Sequence, residues 1–146
     1  MQPIARFVNE GLPGVPRPIS PKTHKVLDVL TTSAFLLAGA FMWSSNRRAS
    51  AAAFLNAGLV LGMTLFTDYD GDGRRPLSFE AHGQLDVAQA SLAAAAPHLF
   101  GFADEKKSWL FRGQAMNEGM VVAMTDFPAA QRTGSQIRDE IGRAHV

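Results

Sequence analysis

The 146-residue chain contains no cysteine, and it is also poor in charged residues. The lack of cysteine excludes disulfide bonds, thiolate metal sites and a cysteine nucleophile. Charged residues make up 18 % of the chain and apolar residues 47 %, whereas about 25 % charged residues is usual in soluble domains. The formal net charge is +1 at pH 7, which gives no electrostatic reason to expect nucleic-acid binding. This composition favours a membrane protein or a deeply buried helical bundle.

The sequence also lacks the short motifs that accompany common catalytic sites. It contains no nucleophile elbow, P-loop, Rossmann glycine pattern or zinc motif. We therefore expect no enzymatic activity and no cofactor. The first sixteen residues include Asn9 and Glu10 and have no apolar run, so they do not resemble a signal peptide.

The chain repeats itself with an offset of 58 positions. Segment 17–29 has the pattern Arg-Pro-x-Ser-x-x-x-His-x-x-Leu-Asp-Val, and segment 75–87 has the same pattern. A gapless alignment of the two copies shows thirteen identical positions, and these include Arg, Ser, His and Asp. Such a repeat determines the architecture. We predict an irregular N-terminal arm, a first hairpin, a linker, a second hairpin and a polar C-terminal tail, at 1–16, 17–69, 70–74, 75–127 and 128–146.

Each copy contains two apolar runs of about 18–20 residues, which is the length that crosses a bilayer. Ser20 and Ser78 are expected N-caps, and Pro21 suits the first helical position. Gly101 is expected to end the third helix and Asp104 to cap the fourth. The predicted helices cover 24–43, 51–66, 81–99 and 107–124, with a candidate surface helix at 137–143. The predicted fold is therefore an all-α, four-helix transmembrane bundle made of two tandem helical hairpins.

Small residues at two places suit close contact between helices. Gly58 and Gly62 form a GxxxG motif, and Ala115 and Gly119 form a related pair in the fourth helix. We predict helix contacts at these four positions.

The fourth predicted helix is more polar than the other three. It carries Arg112, Asn117 and Glu118, and a charge in the middle of a bilayer costs about 2.5–3.5 kcal/mol. We predict that these three residues contact another protein; the alternatives are that Arg112 reaches the membrane interface and that Glu118 faces the bundle interior. A water-soluble helical bundle remains an alternative to the membrane fold.

The repeated signatures resemble the SPW-repeat family of small bacterial membrane proteins. The family's repeat begins with His-x-x-Leu-Asp, continues with Ser-Pro-Trp and Leu-Phe-Gly-Phe, and closes with Thr-Asp-Tyr. Segment 96–102 reads Ala-Pro-His-Leu-Phe-Gly-Phe, which keeps the Pro and the Leu-Phe-Gly-Phe but not the Ser and Trp. The first copy lacks this motif. The resemblance covers about 17–127, and it implies two hairpins in the bacterial inner membrane and no established activity.

Histidine and aspartate recur on one face of the first helix of each copy, because residues four apart share a helix face. In an antiparallel hairpin, the start of the first helix lies beside the end of the second. We therefore predict two polar clusters, one within each copy: His24, Asp28, Thr67 and Asp68, and His82, Asp86, Thr125 and Asp126. We interpret them as structural, with a proton or ligand site as the alternative. The ligand types would also suit a metal, but the spacing matches no dedicated metal motif.

The linker contains half of a calcium-binding pattern. Asp68, Asp70 and Asp72 match the first positions of an EF-hand loop, but the twelfth position holds Phe79 instead of Glu. We expect a polar turn here, with weak calcium binding as the alternative.

Basic residues are concentrated on one side of the predicted bundle, nine on the side of the termini against four on the other. This distribution predicts that both termini are cytoplasmic. We expect a non-enzymatic membrane protein that serves as a structural or accessory subunit of a larger membrane assembly. Its expected partners are the lipid bilayer and other membrane subunits or further copies of itself. The alternatives are a ligand- or proton-handling membrane protein that uses the His–Asp clusters, and a soluble helical-bundle binding protein.

Overall fold

The computed structural model describes residues 2–145, and most of this part of the chain is helical. The helices are α1 (Gln2–Glu10), α2 (Pro21–Met42), α3 (Arg47–Phe66), α4 (Phe79–Leu99), α5 (Ser108–Met124) and α6 (Ala129–Ala144). Two short strands, β1 (Thr67–Asp68) and β2 (Leu77–Ser78), pair in parallel. The predicted all-α class is confirmed.

The two repeated serines begin the helices as predicted. The Ser20 side chain accepts a hydrogen bond from Thr23 N, and the Ser78 side chain accepts one from Ala81 N. Helix α5 differs from the prediction, because Lys107 occupies its N-cap and no side chain caps it. The predicted Asp104 cap is wrong. Asp104 lies within a turn in which Glu105 N donates to Phe102 O, and a second turn, in which Ser108 N donates to Glu105 O, follows before the helix begins.

Both terminal segments are more regular than the sequence analysis predicted. The predicted irregular arm contains helix α1, whose Val8 is fully buried and packs with Ile4 and Phe7 against the bundle. The glycines and prolines that suggested irregular structure follow this helix. The tail forms helix α6 from Ala129 onward, not just a short helix near its end. Gly134 allows this helix to approach the backbone of Gly71 in the linker.

The central helices pack as two hairpins, α2 with α3 and α4 with α5, and α3 also contacts α4. A glycine in each hairpin accommodates a large ring. A Cβ on Gly39 would lie 2.8 Å from the ring of Phe54, and a Cβ on Gly83 would lie 2.6 Å from the ring of Phe127. Gly39 thus permits close approach of α2 and α3, and Gly83 lets the turn that follows α5 pack its Phe127 ring onto α4.

The ends of the hairpins are exchanged between the two copies. Thr67 pairs with Leu77, at the start of the second copy, and Thr125 pairs with Ile19, at the start of the first. Ile19 N donates to Met124 O at 3.0 Å, and Asp126 N donates to Ile19 O at 2.9 Å. Residues 58 positions apart therefore make equivalent contacts at this end of the molecule.

The interior has two apolar clusters. The terminal cluster lies near the chain ends and comprises Val8, Tyr69, Phe79, Val122, Phe127 and Ala130. The loop cluster lies near the two hairpin loops and comprises Phe35, Met42, Ala49, Ala52, Ala53, Ala57, Ala96, Phe102 and Phe111. Polar side chains occupy the buried positions between them: along α2 the buried residues are His24, Asp28 and Thr32, followed by Phe35.

The predicted small-residue contacts are not made inside the chain. A Cβ on Gly58, Gly62 or Gly119 would meet no atom of the described residues within 4 Å, and Ala115 is half-buried. The face of α3 that turns inward carries a stripe of alanines instead, at Ala49, Ala52, Ala53 and Ala57. The GxxxG face points away from the hairpin.

Helices α2 and α3 are each long and apolar enough to cross a membrane. The buried core helix of a soluble protein has the same length and composition. A membrane helix differs from such a core helix in the apolar side chains that it exposes.

Candidate functional site

Two histidines and two aspartates form a closed ring in the interior. Helix α2 supplies His24 and Asp28, and α4 supplies His82 and Asp86; the histidines are 0 % exposed and the aspartates 4 % and 1 %. His24 Nε2 lies 3.5 Å from Asp28 Oδ1 and 3.2 Å from Asp86 Oδ2. His82 Nε2 lies 3.3 Å from Asp28 Oδ2 and 3.3 Å from Asp86 Oδ1. Each histidine therefore faces both aspartates, and we call this arrangement the His–Asp ring.

Threonine hydroxyls orient both histidines. Thr125 Oγ1 lies 2.9 Å from His24 Nδ1, and Thr67 Oγ1 lies 2.8 Å from His82 Nδ1. Each hydroxyl donates its hydrogen to a carbonyl four residues earlier in its own chain segment, at 2.6 Å. Since a hydroxyl has one hydrogen, the threonine oxygen must accept a hydrogen bond from Nδ1. Both imidazoles therefore carry a proton on Nδ1.

This arrangement corrects the predicted grouping of the polar residues. The repeat pattern predicted that each histidine lies beside the threonine of its own copy, in two clusters. The structure has one ring, and each histidine bonds the threonine of the other copy. The cause is the exchange of hairpin ends, because Thr125 pairs with Ile19 just before α2, and Thr67 pairs with Leu77 just before α4.

The two aspartates that follow these threonines lie outside the ring. Asp68 accepts hydrogen bonds from the backbone N–H groups of Asp72 and Gly73. Asp126 forms an ion pair with Arg132 of α6. Both carboxylates therefore hold local turns and are not part of the polar interior.

Tyr69 is a member of the site that the sequence analysis did not assign. Its hydroxyl donates to Asp28 Oδ2 at 2.7 Å, and Thr64 Oγ1 lies 3.3 Å from the same oxygen. Burial and the nearby Asp28 carboxylate raise the pKa of Tyr69 above its ordinary value, so the phenol stays protonated and acts as a donor. The sequence offered one clue to this role: Tyr69 directly follows the repeated Thr-Asp pair, at the position that Phe127 occupies in the second copy.

Aromatic side chains enclose the ring on the side of the termini. The Phe79 ring centroid lies 5.3 Å from that of His24, and the Phe127 centroid lies 5.5 Å from it. The two imidazoles are 5.1 Å apart and nearly perpendicular. This packing removes the ring from water, which strengthens its internal electrostatic interactions and raises the cost of any group that lacks a partner.

Further polar pairs continue along the interior, and they correct a predicted surface. Gln114 donates to Glu118 at 2.6 Å, and Gln89 donates to Asn56. Glu118 is buried, so it is not the partner contact that was predicted. The reason is helical geometry: Glu118 lies four residues after Gln114, on the inward face of α5, whereas Asn117 is on the exposed face.

The linker carboxylates are not arranged as a calcium site. Both oxygens of Asp68 accept backbone hydrogen bonds, Asp72 accepts one from Arg74 N, and Asp70 is exposed. They line a polar pocket of about 160 Å³ next to Thr67 and Tyr69. Within residues 2–145, one group of three His, Asp or Glu side chains could hold a metal ion together. It lies in the His–Asp ring, where one ligand atom each from His24, His82 and Asp86 lie within 4.8 Å of one another.

No protein-family model, no curated protein and no solved structure matches this chain. The ring offers two imidazole nitrogens and four carboxylate oxygens in a desolvated space, a combination that suits the holding of protons or of a cation.

Proposed function

We propose that this chain is an integral membrane protein whose four central helices cross the bilayer as two tandem hairpins. It serves as a non-enzymatic structural or accessory subunit of a larger membrane assembly. The observation that carries this proposal is the distribution of side chains, because many polar groups are buried between the two apolar clusters while large apolar side chains cover the outside of the helices.

Helix α2 shows this inversion clearly. Three of its six buried positions are polar, at His24, Asp28 and Thr32. Its exposed positions include Leu30, Leu37 and Phe41, and Phe41 is 81 % exposed. Soluble monomers rarely expose an apolar surface of this extent. In a bilayer the same arrangement is stable, since lipid covers the apolar side chains and the polar groups find partners inside the bundle.

Helices α4 and α5 follow the same rule although they contain more polar residues. Asp86, Gln89, Gln114 and Glu118 are buried and would not meet lipid. Their large exposed apolar side chains are Leu85, Leu92, Leu99, Trp109, Leu110, Met116 and Met120. The 17 residues of α5 span about 25 Å at 1.5 Å per residue, which is close to the thickness of the hydrocarbon core.

The proposed hairpins are two copies of one unit. The thirteen identical positions support this, as do the equivalent caps at Ser20 and Ser78 and the equivalent threonine bonds to His24 and His82. We further propose that the chain is a diverged member of the SPW-repeat family, located in the bacterial inner membrane. The basic residues on the side of the termini favour a cytoplasmic location for both chain ends.

An open groove between α2 and α5 supports the accessory role. It has a volume of about 530 Å³ and is lined by Leu30, Phe35, Trp109, Asn117 and neighbouring residues. We propose that a helix of another membrane subunit occupies it, with Asn117 as its polar contact. Arg112, the other predicted contact, does not line the groove; its guanidinium donates to Ala103 O and lies over the Trp109 ring. The outward face of Gly58 and Gly62 offers a second contact, suited to self-association.

Membrane extraction tests the main proposal. Membranes from cells that express the full chain are washed with alkaline carbonate and then treated with mild detergent. We expect the protein to stay in the pellet through carbonate and to enter solution with detergent. Release by carbonate, or recovery in the soluble fraction, would support the soluble helical bundle instead.

The absence of cysteine permits a topology test on single-cysteine variants. Ser44→Cys and Asp104→Cys mark the two hairpin loops, and Asp70→Cys and Ser135→Cys mark the linker and the tail; all four positions are exposed. An impermeant maleimide added to intact spheroplasts should label the first pair and not the second. Labelling of one loop together with the tail would show that four spans are not present.

Photo-crosslinking tests the accessory role. A photoreactive amino acid at position 117, in the groove, should capture a membrane protein in living cells, and the captured band should be identified by mass spectrometry. The matched control is position 91, which is exposed on α4 away from the groove. Equal capture at both positions, or none at either, would count against a partner in the groove.

The His–Asp ring favours a second candidate function, in which the protein handles protons or a small ligand. Asp28→Asn and Asp86→Asn separate the two candidates. A structural ring predicts that these variants assemble poorly, as measured by size-exclusion chromatography in detergent. A proton-handling ring predicts normal assembly and an altered proton flux in vesicles that contain the protein.

A further inference from the structure

We propose that the His–Asp ring binds one divalent transition-metal ion, through Nε2 of His24 and His82 and a carboxylate oxygen from each of Asp86 and Asp28. The site goes beyond the proposed scaffold function and does not depend on it, because the ring lies in the interior whether lipid or protein surrounds the bundle. Zn²⁺ is the first candidate.

The orientation of the histidines is the first argument. The threonine hydroxyls place the proton of each imidazole on Nδ1, so Nε2 of the neutral ring carries a lone pair. Both lone pairs point at carboxylate oxygens, and an acceptor that faces an acceptor requires a positive charge between them. Metal-bound histidines characteristically donate their other ring N–H to such an oxygen, which fixes the ring for ligation.

The unpartnered atoms are the second argument. His24 Nε2, His82 Nε2 and Asp86 Oδ2 are buried and form no hydrogen bond within the described chain. A buried polar atom without a partner costs about 1–3 kcal/mol, so proteins rarely leave three together. All three point into the same space, and a metal ion there would satisfy them at once.

The spacing of the ring is the third argument. The four contacts between Nε2 and carboxylate oxygens are 3.2–3.5 Å long. Charge-assisted N–H···O bonds are shorter, about 2.7–2.9 Å. Ligands at about 2.0–2.2 Å from a tetrahedral zinc ion lie roughly 3.3–3.6 Å apart. The distances between Nε2 and the oxygens match these edges, but one ligand atom each from His24, His82 and Asp86 lie within 4.8 Å of one another. The side chains therefore close inward around the ion, and Asp28 completes the shell as the fourth ligand.

Charge and ligand type narrow the choice of metal. Two aspartates supply two negative charges, which a divalent ion neutralises in a space that water cannot reach. Imidazole together with carboxylate suits zinc and the later first-row transition metals, whereas magnesium and calcium prefer oxygen ligands alone.

The surroundings indicate a structural ion. Tyr69 and Thr64 approach Asp28 Oδ2, so the outer contacts of that carboxylate are occupied by the protein. Each hairpin contributes one histidine and one aspartate, and the ion would therefore join α2 to α4. Closed sites with four protein ligands are typical of structural zinc.

Metal analysis of the full chain in mild detergent tests the proposal. The purified protein is stripped with a chelator, incubated with Zn²⁺ or Co²⁺, separated from free metal and analysed by mass spectrometry for bound metal. We expect about one ion per chain, and for Co²⁺ the intense visible absorption of tetrahedral coordination. A wild-type chain that retains no metal would overturn the proposal and leave a ring held by protons alone.

Variants localise the ion. His82→Ala and Asp86→Ala should abolish stoichiometric binding, and Thr67→Val, which keeps all ligands, should weaken binding about 10–100-fold. The control is His98→Ala, at an exposed histidine, which should bind as the wild type does. Unchanged binding in the ring variants, or equal loss in the control, would place the metal elsewhere.

X-ray absorption on the zinc-loaded wild type removes the dependence on variants that fail to fold. We expect two imidazole ligands and oxygen ligands in the first shell. A spectrum without imidazole scattering would overturn the assignment to the ring.

Discussion

The two ends of the bundle are built by opposite rules. In the His–Asp ring, near the termini, residues 58 positions apart are identical and make equivalent contacts, as His24 and His82 do. In the loop cluster, two pairs of corresponding residues differ greatly in size. Phe35 corresponds to Ala93, and Phe111 corresponds to Ala53; all four are buried, and the two phenylalanine rings meet at 5.5 Å.

This difference reflects the two kinds of interaction. A polar ring requires specific atoms at specific positions, so both copies must supply the same side chains. An apolar cluster requires only that its volume be filled, and a large residue in one copy compensates for a small one in the other. The terminal end therefore determines how the hairpins dock, and the loop end fills the space that docking leaves.

Removing one member of the ring should have the largest effect. Asp86→Ala removes a carboxylate neighbour from both His24 Nε2 and His82 Nε2, and removing one partner of a buried ion pair costs about 3–5 kcal/mol. We expect this decrease in the free energy of unfolding, measured by denaturant titration in metal-free detergent solution. Asp104→Ala, at an exposed loop position, is the control and should change stability by less than about 0.5 kcal/mol.

An equal decrease in both variants would show that the ring contributes nothing specific to docking.

The sequence predicted the helices better than it predicted their docking. Ser20 and Ser78 mark helix starts because a cap is a local interaction between residues three apart. Helix α1 was not predicted, since it is short and its stability comes from the burial of Val8 against distant residues.

The members of the ring were predicted, but their grouping was not. The repeat identifies His24, Asp28, His82 and Asp86 as equivalent pairs, yet it cannot tell whether a hairpin end contacts its own copy or the other. That choice depends on the pairing of Ile19 with Thr125, a contact between residues far apart in the chain. Tyr69 was missed for a similar reason, because its partner Asp28 lies 41 positions away.

Phe111→Ala should have the next largest effect, at the opposite end. The side chain is fully buried between Phe35 and Phe102, and its loss opens a cavity among alanines that are too small to fill it. We expect a decrease of about 3–4 kcal/mol in the free energy of unfolding. The His–Asp ring should be unaffected, so the NMR signals of His24 and His82 should be the same in the variant as in the wild type.

A large change in the signals of His24 or His82 would mean that the two ends are not independent.

Tyr69→Phe tests the asymmetry within the terminal end, because the second copy already has Phe127 at this position. The variant loses the hydrogen bond to Asp28 but keeps the aromatic ring in the terminal cluster. We expect a decrease of about 1.5–3 kcal/mol, the usual contribution of a hydrogen bond to a charged group. Phe127→Tyr is the reciprocal variant, and it should not restore stability when combined with Tyr69→Phe.

The smallest effects come from two glycines that the sequence alone does not distinguish. Gly83→Ala places a methyl group against the ring of Phe127, and this overpacking should lower the free energy of unfolding by about 1–2 kcal/mol. Gly58→Ala meets no described atom within 4 Å, so the better helix propensity of alanine should raise stability by up to about 1 kcal/mol. Both values come from the same denaturant titration. Destabilisation by Gly58→Ala, with faster dissociation of cross-linkable dimers in detergent, would instead indicate that the GxxxG face holds two copies of the chain together.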